Sequence, residues 1–208
     1  MVDLLVANKL ARHPQTASTL RALDRALFLP TSDPREYKEP YANKPQSLGF
    51  QCTMSSPSHH ARVLDELLAQ ERQPLRAGSR VLDVGMGSGY MTAAFAINAC
   101  RDNAGCVVGV ERVPALLSMA ERCLGACPAT AALSTTSLRT CAAYGTSSSS
   151  SSSSWDVATW GNAFDVIHLG FSLVRARLAP ARVVPRPPPN ARNKGQLERR
   201  QLGHSNHL

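Results

Sequence analysis

The sequence predicts an α/β fold, a mostly parallel, doubly wound sheet with helices on both faces. Three observations carry that expectation. Short apolar runs at 80–84, 106–110 and 164–169 read as strands, and the apolar stretches 91–100 and 114–124 read as helices between them. The first run opens into a glycine-rich turn, VLDVGMGSGYM at 81–91. The second, VVGVE at 107–111, ends in an acid. The 208 residues suffice for one such domain with a real core and are too few for two ordinary ones.

Ahead of the sheet, residues 16–29 (TASTLRALDRALFL) predict a helix with Leu20, Leu23 and Leu27 on one face. Thr16 or Ser18 can cap its start, and Pro30 stops it. Residues 31–47 read as loop, punctuated by Pro34, Pro40 and Pro45. A second helix is expected from about Pro57 to Glu71, with Ala61, Leu64, Leu67 and Leu68 as its stripe. Ser55 or Ser56 caps it, and Pro57 suits its first position. Between them, KPQSLGFQCTMSSPSHH (44–60) shows neither helix nor strand periodicity.

Two stretches depart from the pattern. Residues 145–154 include eight consecutive serines, which bury no apolar surface and read as a disordered insertion. From 171 the chain carries five prolines, eight Lys/Arg and one Asp/Glu, with no strand of useful length. The expected organisation is therefore a domain over 1–170 and a disordered basic tail over 171–208. The formal charge of +8 sits almost wholly in that tail, at +7, so it does not mark the folded part as a nucleic-acid binder. A tail that touches RNA or acidic lipid is the weaker alternative.

Six cysteines, at 52, 100, 106, 123, 127 and 141, form no C-x-x-C and no zinc-like spacing. The N-terminus, MVDLLVANKLARH, makes a poor signal peptide, and no apolar stretch approaches the ~20 residues of a membrane span. The expectation is a reduced, cytoplasmic, monomeric protein without a metal.

The glycine turn carries the first functional signal. Its order is strand, Asp83, Gly85, Gly87, Ser88, Gly89, helix. Glycine is needed where backbone turns tightly or approaches a ligand, because a Cβ would collide. The pattern is G-x-G-x-G, and the third glycine of a dinucleotide fingerprint would fall on Tyr90. That points away from NAD and toward the nucleoside-binding loop of S-adenosyl-L-methionine (AdoMet) enzymes, a Rossmann-like methyltransferase fold. Glu111 then ends the second strand where open α/β sheets bind ligands, and can accept both ribose hydroxyls of an adenosine. Asp83 can orient the loop amides or meet the cofactor's ammonium, with an ordinary strand-end acid as the plain alternative.

The run YANKPQSLGFQCTMSSPSHHARVLDELL, followed by LRAGSRVLDVGMGSGYMTAAFA, resembles the protein-L-isoaspartate O-methyltransferase family. That family carries P-Q-x-x-G-x-x-x-T-I-S-x-P-x-x-x-A ahead of its AdoMet loop, and ALDRALFLP is similar to its early helix and F-x-P ending. The likeness covers about 16–125 and again AFDVIHLG at 163–170. It implies AdoMet as cofactor and methylation of the free carboxylate of L-isoaspartyl residues in damaged proteins. It also implies Ser55 as catalytic residue, with Cys52, Thr53 and Met54 beside it over the cofactor. The family's histidine, five residues beyond the serine, falls on His60. Elementary chemistry agrees, because a carboxylate is already anionic at neutral pH and its methylation asks for positioning and dryness rather than a base.

The likeness also has gaps. The family's Gly-Asp-Gly after the third strand, whose acid meets adenine, is replaced by SLRTCAAYGTSSSS, and Asp156 is wrongly spaced for that role. Beyond His168 and Gly170 the family's further helix and strands have no counterpart, so the C-terminal strands are expected to be missing. The rival expectation is a catalytically impaired remnant that binds AdoMet or a protein partner only.

Overall fold

The computed structural model describes residues 1–30, 39–69, 73–101, 104–133, 137–142 and 164–170. The serine tract, Asp156 and the basic tail lie outside the described residues.

The chain opens with α1 (Val2–Ala7), which sequence reading did not anticipate and which buries Val2 and Leu5. Next comes α2 (Pro14–Arg21), with Pro14 at its start and the His13 ring accepting the Gln15 amide at 3.2 Å. The continuous helix expected over 16–29 is broken. A separate 3-10 turn spans Arg25–Phe28, and the Asp24 carboxylate accepts the Ala26 amide at 2.9 Å. An aspartate that captures a backbone amide two residues on offers the chain an alternative to the helix ladder. The break re-aims the side chains that follow: Leu20, Leu23 and Phe28 are buried, whereas Leu27 is 40% exposed.

The segment without periodicity forms a hairpin of β1 (Gln46–Gly49) and β2 (Cys52–Met54). Its turn places Gly49, Phe50 and Gln51 at positive φ, which Gly49 adopts freely and the other two do not. Helix α3 (Pro57–Leu68) follows, and Ser56, not Ser55, accepts the His59 amide as its cap. Its inward face carries Ala61, Leu64 and Leu68 as expected, with His60 and Asp65 buried beside them. Burial works against the charge of Asp65. The amides of His13 and Arg12 bond to it at 3.0 and 2.8 Å, and with the Arg12 guanidinium at 3.4 Å they hold its carboxyl below the usual range. One buried acid thus ties α3 to the start of α2.

The sheet comprises β3 (Arg80–Val84), β4 (Cys106–Glu111), β5 (Leu138–Ala142) and β6 (Val166–Leu169), all parallel, in the order β5-β4-β3-β6. Helix α4 (Tyr90–Ala99), almost wholly apolar and buried, links β3 to β4, and α5 (Pro114–Ala126) links β4 to β5. Asn98 joins α4 to α2, accepting from Gln15 at 2.7 Å and donating to Thr19 at 3.0 Å. The chain runs outward from β3 to β5, then returns to the other side of β3. Open sheets hold their ligands at such a reversal, outside the carboxyl ends of the strands. The register sets Gly109, Asp83 and His168 in one row across it. Among the described residues β6 is an edge strand, with Ile167 and Leu169 exposed.

Candidate active site

Local backbone demands build the floor of the site. After β3 the chain turns through Gly85, Gly87 and Gly89, all at positive φ. The amides of Gly85 and Met86 donate to the Val110 carbonyl at 2.8 and 3.1 Å, folding the turn against β4. A Cβ at Gly87 would be strained at φ +58 and would sit 3.1 Å from Leu48 Cδ1. Glycine there lets the hairpin rest directly on the loop.

Glu111 ends β4, nearly buried. Its Oε2 accepts the Gly87 amide at 2.9 Å, and its Oε1 accepts the amides of Arg112 and Val113 at 2.7 and 2.9 Å. A carboxylate offers roughly four lone-pair positions. Three are taken by backbone, so about one acceptor position is left for a ligand hydroxyl rather than the two expected. Asp83 is held differently. Its Oδ2 accepts the Thr92 hydroxyl at 2.6 Å, and its Oδ1 accepts from His168 Nδ1 at 2.8 Å. Its partners are these side chains and not the loop amides, which answers one of the alternatives above. Ser88 Oγ is buried with no hydrogen-bond partner among the described residues.

The roof is β2 and the residues after it. Because Ser56 takes the cap, Ser55 is left to face the cavity between roof and floor. The Ser55 carbonyl accepts a 2.7 Å bond from Nη2 of Arg25, which is wholly buried. Arg25 Nη1 lies 3.2 Å from His60 Nδ1, and its guanidinium carbon lies 5.5 Å from the Tyr90 ring centre. Burial, and then the Arg25 charge, hold His60 well below its usual range, so the ring is neutral. A guanidinium only donates, so Nδ1 accepts and the hydrogen sits on Nε2. Burial raises the Tyr90 phenol to about 12.

Roof and floor enclose a cavity of about 870 Å³. Cys52, Thr53, Met54, Ser55 and His60 line it from above, and Asp83, Gly85, Gly87, Ser88 and Glu111 from below. Gly89 is the one candidate that does not line it. It caps α4 instead, where a Cβ would meet Leu124 of α5 at 3.2 Å. Sequence reasoning missed Arg25, Tyr90 and Thr92. Arginine is rarely buried, so residue type argued for the surface. The fit of His168 to the family strand was visible in the sequence, but its partner became visible only through the register with β3.

The fold and cavity define a class, and the comparisons agree with it. A beta-aspartate methyltransferase (PCMT) from Plasmodium falciparum, solved with S-adenosyl-L-homocysteine, superposes with a TM-score of 0.65 at 22% identity, over 85% of this chain and 74% of that one. The shared arrangement is the Rossmann-like methyltransferase fold. The family model of protein-L-isoaspartate(D-aspartate) O-methyltransferase (PCMT) matches residues 1–168, and the chain belongs to that family. Among curated relatives, the protein-L-isoaspartate O-methyltransferase of Caenorhabditis elegans is 34% identical over 122 residues, covering 59% of this chain and 48% of the relative. That of Triticum aestivum is 38% identical over 117 residues, covering 56% and 46%. The chain thus matches about half the length of these relatives. Among the described residues no helix is long and apolar enough to cross a membrane.

Proposed function

We propose that this chain binds AdoMet in the cavity and transfers its methyl group to the free carboxylate of L-isoaspartyl residues in damaged proteins, a protein-repair reaction. The observation that carries the reading is that Ser55 and the Glu111–Gly87 seat line one cavity, although 56 positions separate Ser55 from Glu111. The cavity's donor set suits the cofactor. Glu111 keeps an acceptor position for a ribose hydroxyl, Ser88 has a buried hydroxyl without a partner among the described residues, and the glycine turn brings backbone close. When bound, AdoMet supplies an electrophilic methyl on a sulfonium.

The protein's own residues supply placement. Ser55 stands just before α3, where free amides and hydroxyls favour an anion. It can donate its hydroxyl to the incoming carboxylate and aim one oxygen across the cavity. Thr53 and Met54 line the cavity beside it. No group has to remove a proton, and the neutral His60 is consistent with a site that does no base chemistry.

The test is radiolabelled methyl transfer by the full chain to an isoaspartyl peptide and to the matching aspartyl peptide. Base-labile label on the isoaspartyl peptide alone is expected, and equal labelling of both overturns the repair reading. A second reading is favoured by the exposed Ile167 and Leu169 on β6. In it the chain retains the cofactor seat and transfers nothing. Calorimetric binding of AdoMet with no ester product would select it.

A further inference from the structure

Arg25 is the part of the site that the proposed reaction leaves unexplained. Its side chain is wholly buried, and no carboxylate among the described residues pairs with it. The adjacent Asp24 accepts from the Ala26 amide and the Tyr41 hydroxyl instead. Among the described residues Arg25 bonds only to neutral groups, the Ser55 carbonyl and His60 Nδ1, and lies near the Tyr90 ring. Its Nε has no partner among the described residues. Burying a cation without an anion is far costlier than packing an apolar side chain of similar volume. A charge kept there points to an anion that arrives from outside.

The geometry supplies a route for that charge. Arg25 donates to His60 Nδ1, which leaves Nε2–H as the ring's donor, and His60 lines the cavity beside Ser55. No described residue accepts from Nε2. A guanidinium on one side of an imidazole polarises the N–H on the other. The indirectness has a chemical reason. Methyl transfer from a sulfonium to a carboxylate destroys both charges, so a cation bonded directly to the nucleophile would stabilise reactants more than the transition state. One ring's distance keeps the attraction and leaves the nucleophilic oxygen free.

Building on the function proposed above, we propose that Arg25 is the counter-charge for the substrate carboxylate, acting through the neutral His60 ring. Arg25 is then a positioning and specificity residue, and it makes the site choose a carboxylate over the isosteric carboxamide.

The test uses the full chain saturated with S-adenosyl-L-homocysteine. An isoaspartyl peptide and its side-exposed carboxamide analogue are titrated against it by calorimetry, in the unsubstituted protein, Arg25→Met and Arg25→Lys. The unsubstituted protein should prefer the carboxylate by about tenfold, and Arg25→Met should bring the two peptides within about twofold. Arg25→Lys, which keeps the charge, should retain most of the preference. All three should bind S-adenosyl-L-homocysteine alike, which shows that fold and cofactor seat are intact. A preference that survives in Arg25→Met, or a Met variant that loses the cofactor as well, overturns the inference. An unsubstituted protein that binds both peptides equally overturns it too and leaves the proposed function standing. If that protein binds neither peptide, the function itself falls, and this inference with it.

Discussion

The two walls of the cavity treat buried charge in opposite ways. On the floor, each acid is held by donors on both of its oxygens, Asp83 by Thr92 and His168 and Glu111 by three backbone amides. In the roof, Arg25 is a cation that, among the described residues, meets only a carbonyl, a neutral imidazole and an aromatic face. The difference teaches what each wall is for. Acids already held by the protein's own donors keep a shape and have few positions left to offer, which suits the neutral hydroxyls of a nucleoside. A cation with no anion among the described residues is an offer still open, which suits a carboxylate. Under the proposed function, the floor is a seat for a cofactor and the roof a reader of substrate charge.

Substitutions can break or sharpen that contrast. The largest effect is expected in the roof, where Ser55→Ala removes the donor that the proposed function assigns to the reacting carboxylate. Turnover on an isoaspartyl peptide should fall by about a hundredfold. The dissociation constant for S-adenosyl-L-homocysteine should stay within about twofold. A loss confined to cofactor affinity would place Ser55 on the floor's side of the divide. Next comes Glu111→Ala, which frees the Gly87 amide and removes the acceptor at the end of β4. Calorimetry should show cofactor affinity reduced by about thirtyfold, roughly 2 kcal/mol for lost charge-assisted bonds.

Smaller effects concern stability. Asp83→Asn leaves shape and volume alone but weakens two short bonds, to Thr92 and His168. Chemical denaturation should register a loss of about 1.5 kcal/mol. The smallest effect is the pH dependence that His60 imposes. Burial and then Arg25 lower its folded pKa below the ordinary 6.5. The unfolded chain therefore binds a proton on acidification that the folded chain refuses. His60 contributes fully above about pH 6.5, and stability falls below it by up to about 1.4 kcal/mol per pH unit until the folded value is reached. Thermal melts between pH 7.5 and 5.5 should show a shallower acid slope in His60→Gln. Asp65, also lowered, acts in a separate window below its ordinary 3.8 and does not confuse the comparison.

The same contrast separates what the sequence disclosed from what it hid. The floor was legible because its demands are local. A strand, a turn that needs glycine and an acid ending the next strand are written in consecutive residues, and β3, α4, β4 and α5 fall within a few residues of expectation. Much of the roof was not. Strands of four and three residues are too short to show alternation, so the hairpin stayed hidden until the positive φ of Phe50 and Gln51 revealed its turn. The helical stripe through Leu27 failed because α2 stops at Arg21 and Asp24 caps a separate, tighter turn, which sends Arg25 inward in its place. Ser55 and His60 were found through likeness to a family motif. Arg25, which joins them, depends on contacts 30 and 35 positions away that no local pattern records.

The division of labour between the walls is tested most directly by titrating Glu111→Ala and Arg25→Met side by side, first with S-adenosyl-L-homocysteine and then with the isoaspartyl peptide and its carboxamide. The expected result is a crossed one. Glu111→Ala should lose cofactor affinity, whereas Arg25→Met should keep the cofactor and lose its choice between the two peptides. If both variants lose the cofactor to the same degree and neither changes the choice, floor and roof are one undifferentiated pocket and the account is wrong.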